Sequence, residues 1–156
     1  MEESSHNSRG GIWVVGQFVL IAMILIAGQL PYGTFTTGIV TTVLGVLCCA
    51  LAVAFGWRGF ANLGRNLTPF PKPLDDGSLV TTGVYAIVRH PIYTAVLCGC
   101  IGFVLLCGSW SAGVVTGILG IWFEFKSRAE ERFLRQRFSA YAAYAQSVKK
   151  FIPFLY

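Results

Sequence analysis

Charge is scarce in this sequence: only 12% of its 156 residues are Asp, Glu, Lys or Arg, against roughly 25% in a water-soluble domain. With 54% of residues apolar, the shortage excludes an ordinary soluble globule and points to lipid as the solvent. Paired cysteine motifs are missing too. Cys48, Cys49, Cys98, Cys100 and Cys107 include no CxxC with a matching partner, so no metal is expected, and all five fall in apolar segments where thiols act as small packing groups. No internal repeat or low-complexity tract occurs, and Phe154, Leu155 and Tyr156 carry no prenylation signal. A strand followed by a glycine-rich turn, the nucleotide site of many soluble enzymes, is also lacking. The net charge of +5 is no nucleic-acid stripe, because the basic residues sit beside long uncharged segments. An anionic membrane surface is their natural partner.

What is present is a set of apolar runs at 11–30, 36–56, 91–107 and 109–125. At about 1.5 Å per residue, a helix of 20 residues covers the ~30 Å hydrocarbon core. The first run is too long for the apolar stretch of a cleavable leader, and only Arg9 precedes it as a basic residue. Pro31, Tyr32 and Gly33 make a turn, and Gly108 with Ser109 joins the last two runs in a tight hairpin. Between the hairpins, Pro69, Pro71 and Pro73 are too closely spaced for a helix, so 58–90 reads as a long ordered loop at the membrane surface. After Phe125, Leu134, Phe138, Tyr141, Ala145 and Val148 recur in steps of three and four among arginines, the pattern of an amphipathic helix over 126–150. Gly113, Gly117 and Gly120 offer a small-residue face for internal packing or for a homodimer. Trp57, Trp110 and Trp122 read as interface anchors or core residues.

Sidedness follows from counting. Arg9, the four basic residues of 58–90 and the seven after Phe125 account for all 12 Lys and Arg, while 31–35 and 108–109 hold none. The expected architecture is therefore an all-α integral membrane protein, one domain over 1–156, with about four transmembrane helices, a cytoplasmic loop, a C-terminal amphipathic helix and both termini cytoplasmic. In a bacterium this is the inner or plasma membrane, and the lipid bilayer is the first partner.

Two polar groups need explaining. Arg89 and His90 precede Pro91, which opens the third run with Tyr93 just inside, and Glu124, Glu130 and Glu131 lie where the fourth run ends. The hairpin returns both groups to the same cytoplasmic level. Each alone reads as interface anchoring or surface pairing with Arg128 or Arg135. Together with 83–93, Phe138, Tyr141, Tyr144, Phe151, Ile152 and Pro153, and upstream Leu63, Gly64, Arg65, Asn66 and 77–80, their order and spacing resemble the isoprenylcysteine carboxyl methyltransferase family over roughly residues 58–153. The first two runs carry no diagnostic residue.

The resemblance implies methyl transfer from S-adenosylmethionine, with Arg89 and Glu131 catalytic and His90, Pro91, Tyr93, Glu130 and Glu131 binding the cofactor. Arg89 is expected to pair with a carboxylate of cofactor or substrate. The implied acceptor is lipophilic, most simply the carboxylate of an isoprenylcysteine; another isoprenoid, a phospholipid amine or a small thiol is equally compatible with the residues. The short chain resembles bacterial or archaeal forms. Two other readings compete: a nicotinamide-dependent reductase of the sterol type, whose C-terminal helices are similar, and a non-catalytic module binding anionic lipid.

Overall fold

A computed structural model describes residues 10–156; Arg9, used above to assign sides, lies outside the described residues. Among these residues the chain forms five α-helices, α1 (Gly11–Ala27), α2 (Ile39–Leu63), α3 (Pro91–Cys107), α4 (Trp110–Arg137) and α5 (Tyr141–Ser147), with 3-10 turns at Gly64–Asn66 and Gly83–Ala86. There are no strands among them, only isolated bridges joining Thr34 to Ser109 and Val88 to Lys149.

α2 packs along α3, α1 along α4, and α3 on α4, while α1 and α2 barely touch. The α2–α3 crossing is close because Gly45 faces Gly102: a Cβ on Gly102 would lie 2.6 Å from the Cys49 sulfur and 2.8 Å from the Gly45 carbonyl oxygen. This corrects the expectation for α4. A Cβ on Gly117 would meet nothing within 4 Å, and those on Gly113 and Gly120 only ordinary contacts at 3.5 and 3.9 Å, so the tight seam lies elsewhere.

The α3–α4 hairpin turns where the residues said it should. Gly108 takes the left-handed conformation at φ 64° and Ser109 caps α4, its hydroxyl accepting the Ala112 N–H at 3.2 Å. The connection between α1 and α2 braces this turn, with Phe35 N–H donating to Gly108 O at 2.7 Å and Trp110 N–H to Gly33 O at 2.7 Å. The two uncharged connections thus meet at one end of the bundle.

Three elements differ in extent from the sequence reading. α1 stops at Ala27, not residue 30, and α2 begins at Ile39 and carries Trp57 and Arg58 as helical residues to Leu63. A charge ends an apolar run but not a helix; Gly64 at φ 50° ends it. The expected separate helix over 126–150 is instead the continuation of α4 to Arg137, a break at Phe138, and the short α5. No glycine or proline interrupts 126–137, and Glu, Arg, Ala, Leu and Gln there are strong helix formers.

Among the described residues one helical stretch, Ile39–Asn66, is both long and apolar enough to cross a membrane; Gly11–Ala27 and Pro91–Cys107 are apolar but shorter. Only 6% of the apolar window of that stretch is buried, with Ile39, Val40 and Val53 more than 60% exposed. Side chains of this kind in such number are stable against lipid, not water.

Candidate active site

Pro91 starts α3 and leaves Arg89 and His90 outside the helix, where the segment after α5 holds them: Arg89 N–H donates to Lys149 O at 2.8 Å and His90 N–H to Lys150 O at 3.1 Å. Thr94, one turn into α3, donates its hydroxyl to Phe151 O at 2.8 Å. The polar motif is thereby fixed between α3 and the C-terminal segment, facing the C-terminal half of α4.

There the two sequence groups meet. Glu131 Oε1 accepts from Arg89 Nε at 3.1 Å, from Arg89 Nη2 at 3.0 Å and from His90 Nε2 at 3.1 Å. The other ring nitrogen of His90 lies 3.4 Å from Glu130 Oε2, and the Tyr93 hydroxyl donates to Glu130 Oε1. Arg89 also donates to the carbonyls of Ala145, at 2.9 Å, and Val148. The carboxylate that Arg89 pairs with is therefore Glu131 of the same chain. The rings of His90 and Tyr93 stack at 5.4 Å and 5°, and Tyr93 stacks on Phe123 at 4.5 Å.

Charge states follow from these contacts. Burial alone would raise the Glu131 carboxyl, but the hydrogen bond and charge of His90, with the charges of Arg89 and Lys150, bring it from 4.5 down to about 2. Burial alone would lower the His90 imidazole, yet the hydrogen bonds to Glu130 and Glu131 and their charges outweigh it and raise it above 6.5. Both ring nitrogens face carboxylate oxygens, an arrangement that suits the doubly protonated ring. Burial pushes up the hydroxyls of Tyr85, Tyr141 and Tyr144, the last to about 12, so all three remain donors near neutrality.

This cluster closes one end of a cavity of about 460 Å³, within the roughly 300–1,000 Å³ range of small-molecule sites. Arg89, His90, Pro91, Tyr93 and Glu130 line it; Glu131 stands behind them. Toward the bundle the wall turns apolar, with Phe18 and Ile21 from α1, Phe60 and Leu63 from α2, and Val96 from α3. Glu124 belongs to a different contact, holding Lys150 Nζ at 2.9 Å and Arg128 Nε at 2.6 Å.

A profile of the phospholipid methyltransferase family matches residues 40–141, about two thirds of the sequence, covering α2 but for its first residue and all of α3 and α4. The chain belongs to this family. Among curated relatives, a "probable protein-S-isoprenylcysteine O-methyltransferase" of Oryza sativa subsp. indica is 35% identical over 120 residues, 76% of this chain and 60% of the relative. Protein-S-isoprenylcysteine O-methyltransferase B of Arabidopsis thaliana is 32% identical over 120 residues, 76% of this chain and 58% of the relative. The cobalt-zinc-cadmium resistance protein CzcN of Cupriavidus metallidurans is 31% identical over 150 residues, covering 93% of this chain and 63% of the relative. The chain spans about three fifths of the length of the relatives it matches. The isoprenylcysteine carboxyl methyltransferase resemblance seen in the residues is upheld by these relatives, and the family is membrane-associated.

Seen as a member of this methyltransferase family, the chain brings together motifs that are far apart in sequence. Asn66 accepts Ser78 N–H at 2.7 Å, joining the 63–66 and 77–80 segments, and Asn62 accepts Val84 N–H at 3.0 Å. The methyl donor implied by the methyltransferase relatives, S-adenosylmethionine, suits the donor set. The Tyr141 hydroxyl is buried in the cavity wall, and it alone among the described residues is a buried side-chain polar atom with no hydrogen-bond partner, as though reserved for a ligand's polar atom. Glu130, which lines the same cavity, suits a ribose hydroxyl or an ammonium group.

Sequence reasoning missed Lys126, Tyr85 and Gln17 as cavity-lining residues. For Lys126 a signal existed: a lone cation directly after the apolar run, one helical turn before Glu130. Gln17 sits in a uniformly apolar run that marks nothing, and Tyr85 lies within the 83–93 motif, which gave it no role of its own.

Proposed function

We propose that this protein transfers a methyl group from S-adenosylmethionine to the carboxylate of a lipophilic acceptor, of the S-isoprenylcysteine kind named for its relatives, at the cytoplasmic face of a membrane. What carries the reading is the two-ended cavity: a charged end built from Arg89, His90, Tyr93 and Glu130, and an apolar end between α1 and α2, which pack on different partners and leave a lateral way in from lipid. When bound, the cofactor supplies a methyl group on a sulfonium sulfur; an acceptor oxygen forms the new C–O bond as the C–S pair returns to sulfur, giving an ester and a neutral thioether with no proton moved.

Such a displacement asks the protein for alignment and exclusion of water more than for a base. An acceptor carboxylate is ionised at neutral pH. Glu130, Tyr93 and His90 hold the cofactor, and Pro91 shapes the wall beside them. Arg89 draws the acceptor carboxylate to the reacting end, while Glu131 fixes Arg89 and His90 from behind. Four crossings with both termini cytoplasmic fit the meeting of the uncharged connections at the opposite end of the bundle.

The test is calorimetric titration of S-adenosylhomocysteine into detergent-solubilised protein, wild type beside Glu130→Ala and His90→Ala. Saturable binding to wild type, weakened at least tenfold by either substitution, supports the reading. A folded wild-type protein that binds none of it sinks the reading, and binding of reduced nicotinamide instead would favour the reductase.

A further inference from the structure

After α5 the chain runs past the motif at the start of α3 and closes into a hook. Phe151 and Ile152 N–H both donate to Tyr156 O, at 2.8 and 2.7 Å, and Leu155 and Tyr156 N–H both donate to Ile152 O, at 3.2 and 3.1 Å. Backbone bonds set its shape, and its apolar side chains stand outside it. Ile152 and Tyr156 are half exposed, Leu155 is 74% exposed, and Phe154, at 95%, is the most exposed large apolar residue among those described. Phe154 is also the one non-glycine among them in left-handed backbone, at φ 64°. A bulky residue is strained there, and strain retained in a fold is a pointer to function. Packing within the chain does not explain the hook, because these side chains are uncovered.

The depth of the hook says what covers it. Lys150, just before it, donates from Nζ to Glu124 Oε1 at 2.9 Å and Oε2 at 3.1 Å, and lies 5.8 Å from the centre of the Tyr156 ring. α4 starts at Trp110, where the two uncharged connections meet, so at about 1.5 Å per residue Glu124 stands about 21 Å along it and Arg128 about 27 Å. The hook is therefore level with the far edge of a ~30 Å hydrocarbon core. Arg128, which shares Glu124 at 2.6 Å, and Lys149 are both exposed, so three cations with Lys150 surround one carboxylate. Apolar side chains flanked by cations at this level match an anionic leaflet, not water. The same segment seats the site: the carbonyls of Lys149, Lys150 and Phe151 hold Arg89 N–H, His90 N–H and the Thr94 hydroxyl, and the Phe151 ring lies 5.7 Å from that of His90.

We propose that Ile152, Phe154 and Leu155 insert into the leaflet on the cavity side, so that the bilayer itself anchors the segment holding Arg89 and His90. The proposal rests on the membrane crossings put forward above and adds a lipid contact that methyl transfer does not require.

Phe154→Trp and Leu155→Trp are each placed, in the full chain, in bilayers of phosphatidylcholine and phosphatidylglycerol. The emission added over wild type is followed with lipids brominated at a shallow acyl position and with aqueous iodide. Bromine should quench the added emission at least twofold, and iodide should leave it unchanged. Quenching by iodide and not by bromine in both variants puts the hook in water and overturns the proposal. Protection from both puts it under protein, such as a second copy, and overturns it equally. Native Trp57 and Trp110, both largely exposed, are the control: if brominated lipid fails to quench them, the membrane reading itself falls. Phe154→Asp combined with Leu155→Asp should weaken S-adenosylhomocysteine at least threefold in the same bilayers. Affinity equal to wild type in the folded double variant overturns the anchoring of the site, whereas failure of wild type to bind refutes the cofactor reading and leaves the quenching to decide the lipid contact.

Discussion

Replacing Glu131 by Gln removes one negative charge while keeping the side chain's size, and the geometry sets the cost. Glu131 Oε1 receives three hydrogen bonds from two cationic side chains, with Glu131 10% and Arg89 11% exposed. Deleting one partner of a buried ion pair costs about 3–5 kcal/mol because the other charge stays desolvated. Two features reduce the figure: Arg89 retains the carbonyls of Ala145 and Val148, and His90 retains Glu130 and can shed its proton. We therefore expect a loss of about 3 kcal/mol, which at roughly 2–4 °C per kcal/mol for a chain of this size lowers the thermal midpoint by about 6–12 °C. The assay is thermal unfolding in a fixed detergent at pH 7, with Glu131→Gln, Arg89→Gln and the double variant. The double variant should recover part of the summed loss, a coupling of about 1–3 kcal/mol. A Glu131→Gln midpoint within 2 °C of wild type, or strict additivity in the double variant, would refute the buried network as a source of stability.

Three further outcomes are expected. The Glu131 carboxyl is lowered in the folded state, so its stabilisation is complete above its ordinary 4.5 and is lost as pH falls through about 2; the His90 ring is raised, so its contribution is complete below 6.5 and is lost as pH rises through the raised value. Unfolding midpoints between pH 2 and 9 should show both limbs, and Glu131→Gln should remove the acid limb and move the alkaline one to lower pH. Gly102→Ala should destabilise by about 2–4 kcal/mol through the clash with Cys49 and Gly45, while Gly117→Ala, with open space around it, should be neutral or slightly stabilising in the same unfolding assay. Tyr141→Phe should leave the unliganded protein as stable as wild type, because the hydroxyl has no partner to lose, yet weaken S-adenosylhomocysteine by about fivefold or more in calorimetry; unchanged affinity would deny that hydroxyl a ligand.

Much of the architecture was legible in consecutive residues. The third helix occupies the expected 91–107, because a proline at a first turn and a glycine at a C-terminus act on the local backbone whatever surrounds them. The Arg89, His90, Tyr93, Glu130 and Glu131 cluster was also foreseeable, since a tight hairpin must return its two ends to one level. Helix ends beyond the apolar runs were not, as with the extension of α2 to Leu63 and of α4 to Arg137, because hydropathy marks the solvent of a residue and not its backbone.

Only the tertiary structure decided which glycines make the close crossing, which carboxylate Arg89 meets, and that Lys126 is buried between Gln17 and Pro69. Those partners lie 109 and 57 residues away along the chain. The sequence by itself determined the local turns, the apolar lengths and the level at which polar groups collect, each a property of neighbouring residues. Which face of one helix meets another depends on the relative rotation of whole helices, and that is fixed by packing summed over the entire bundle.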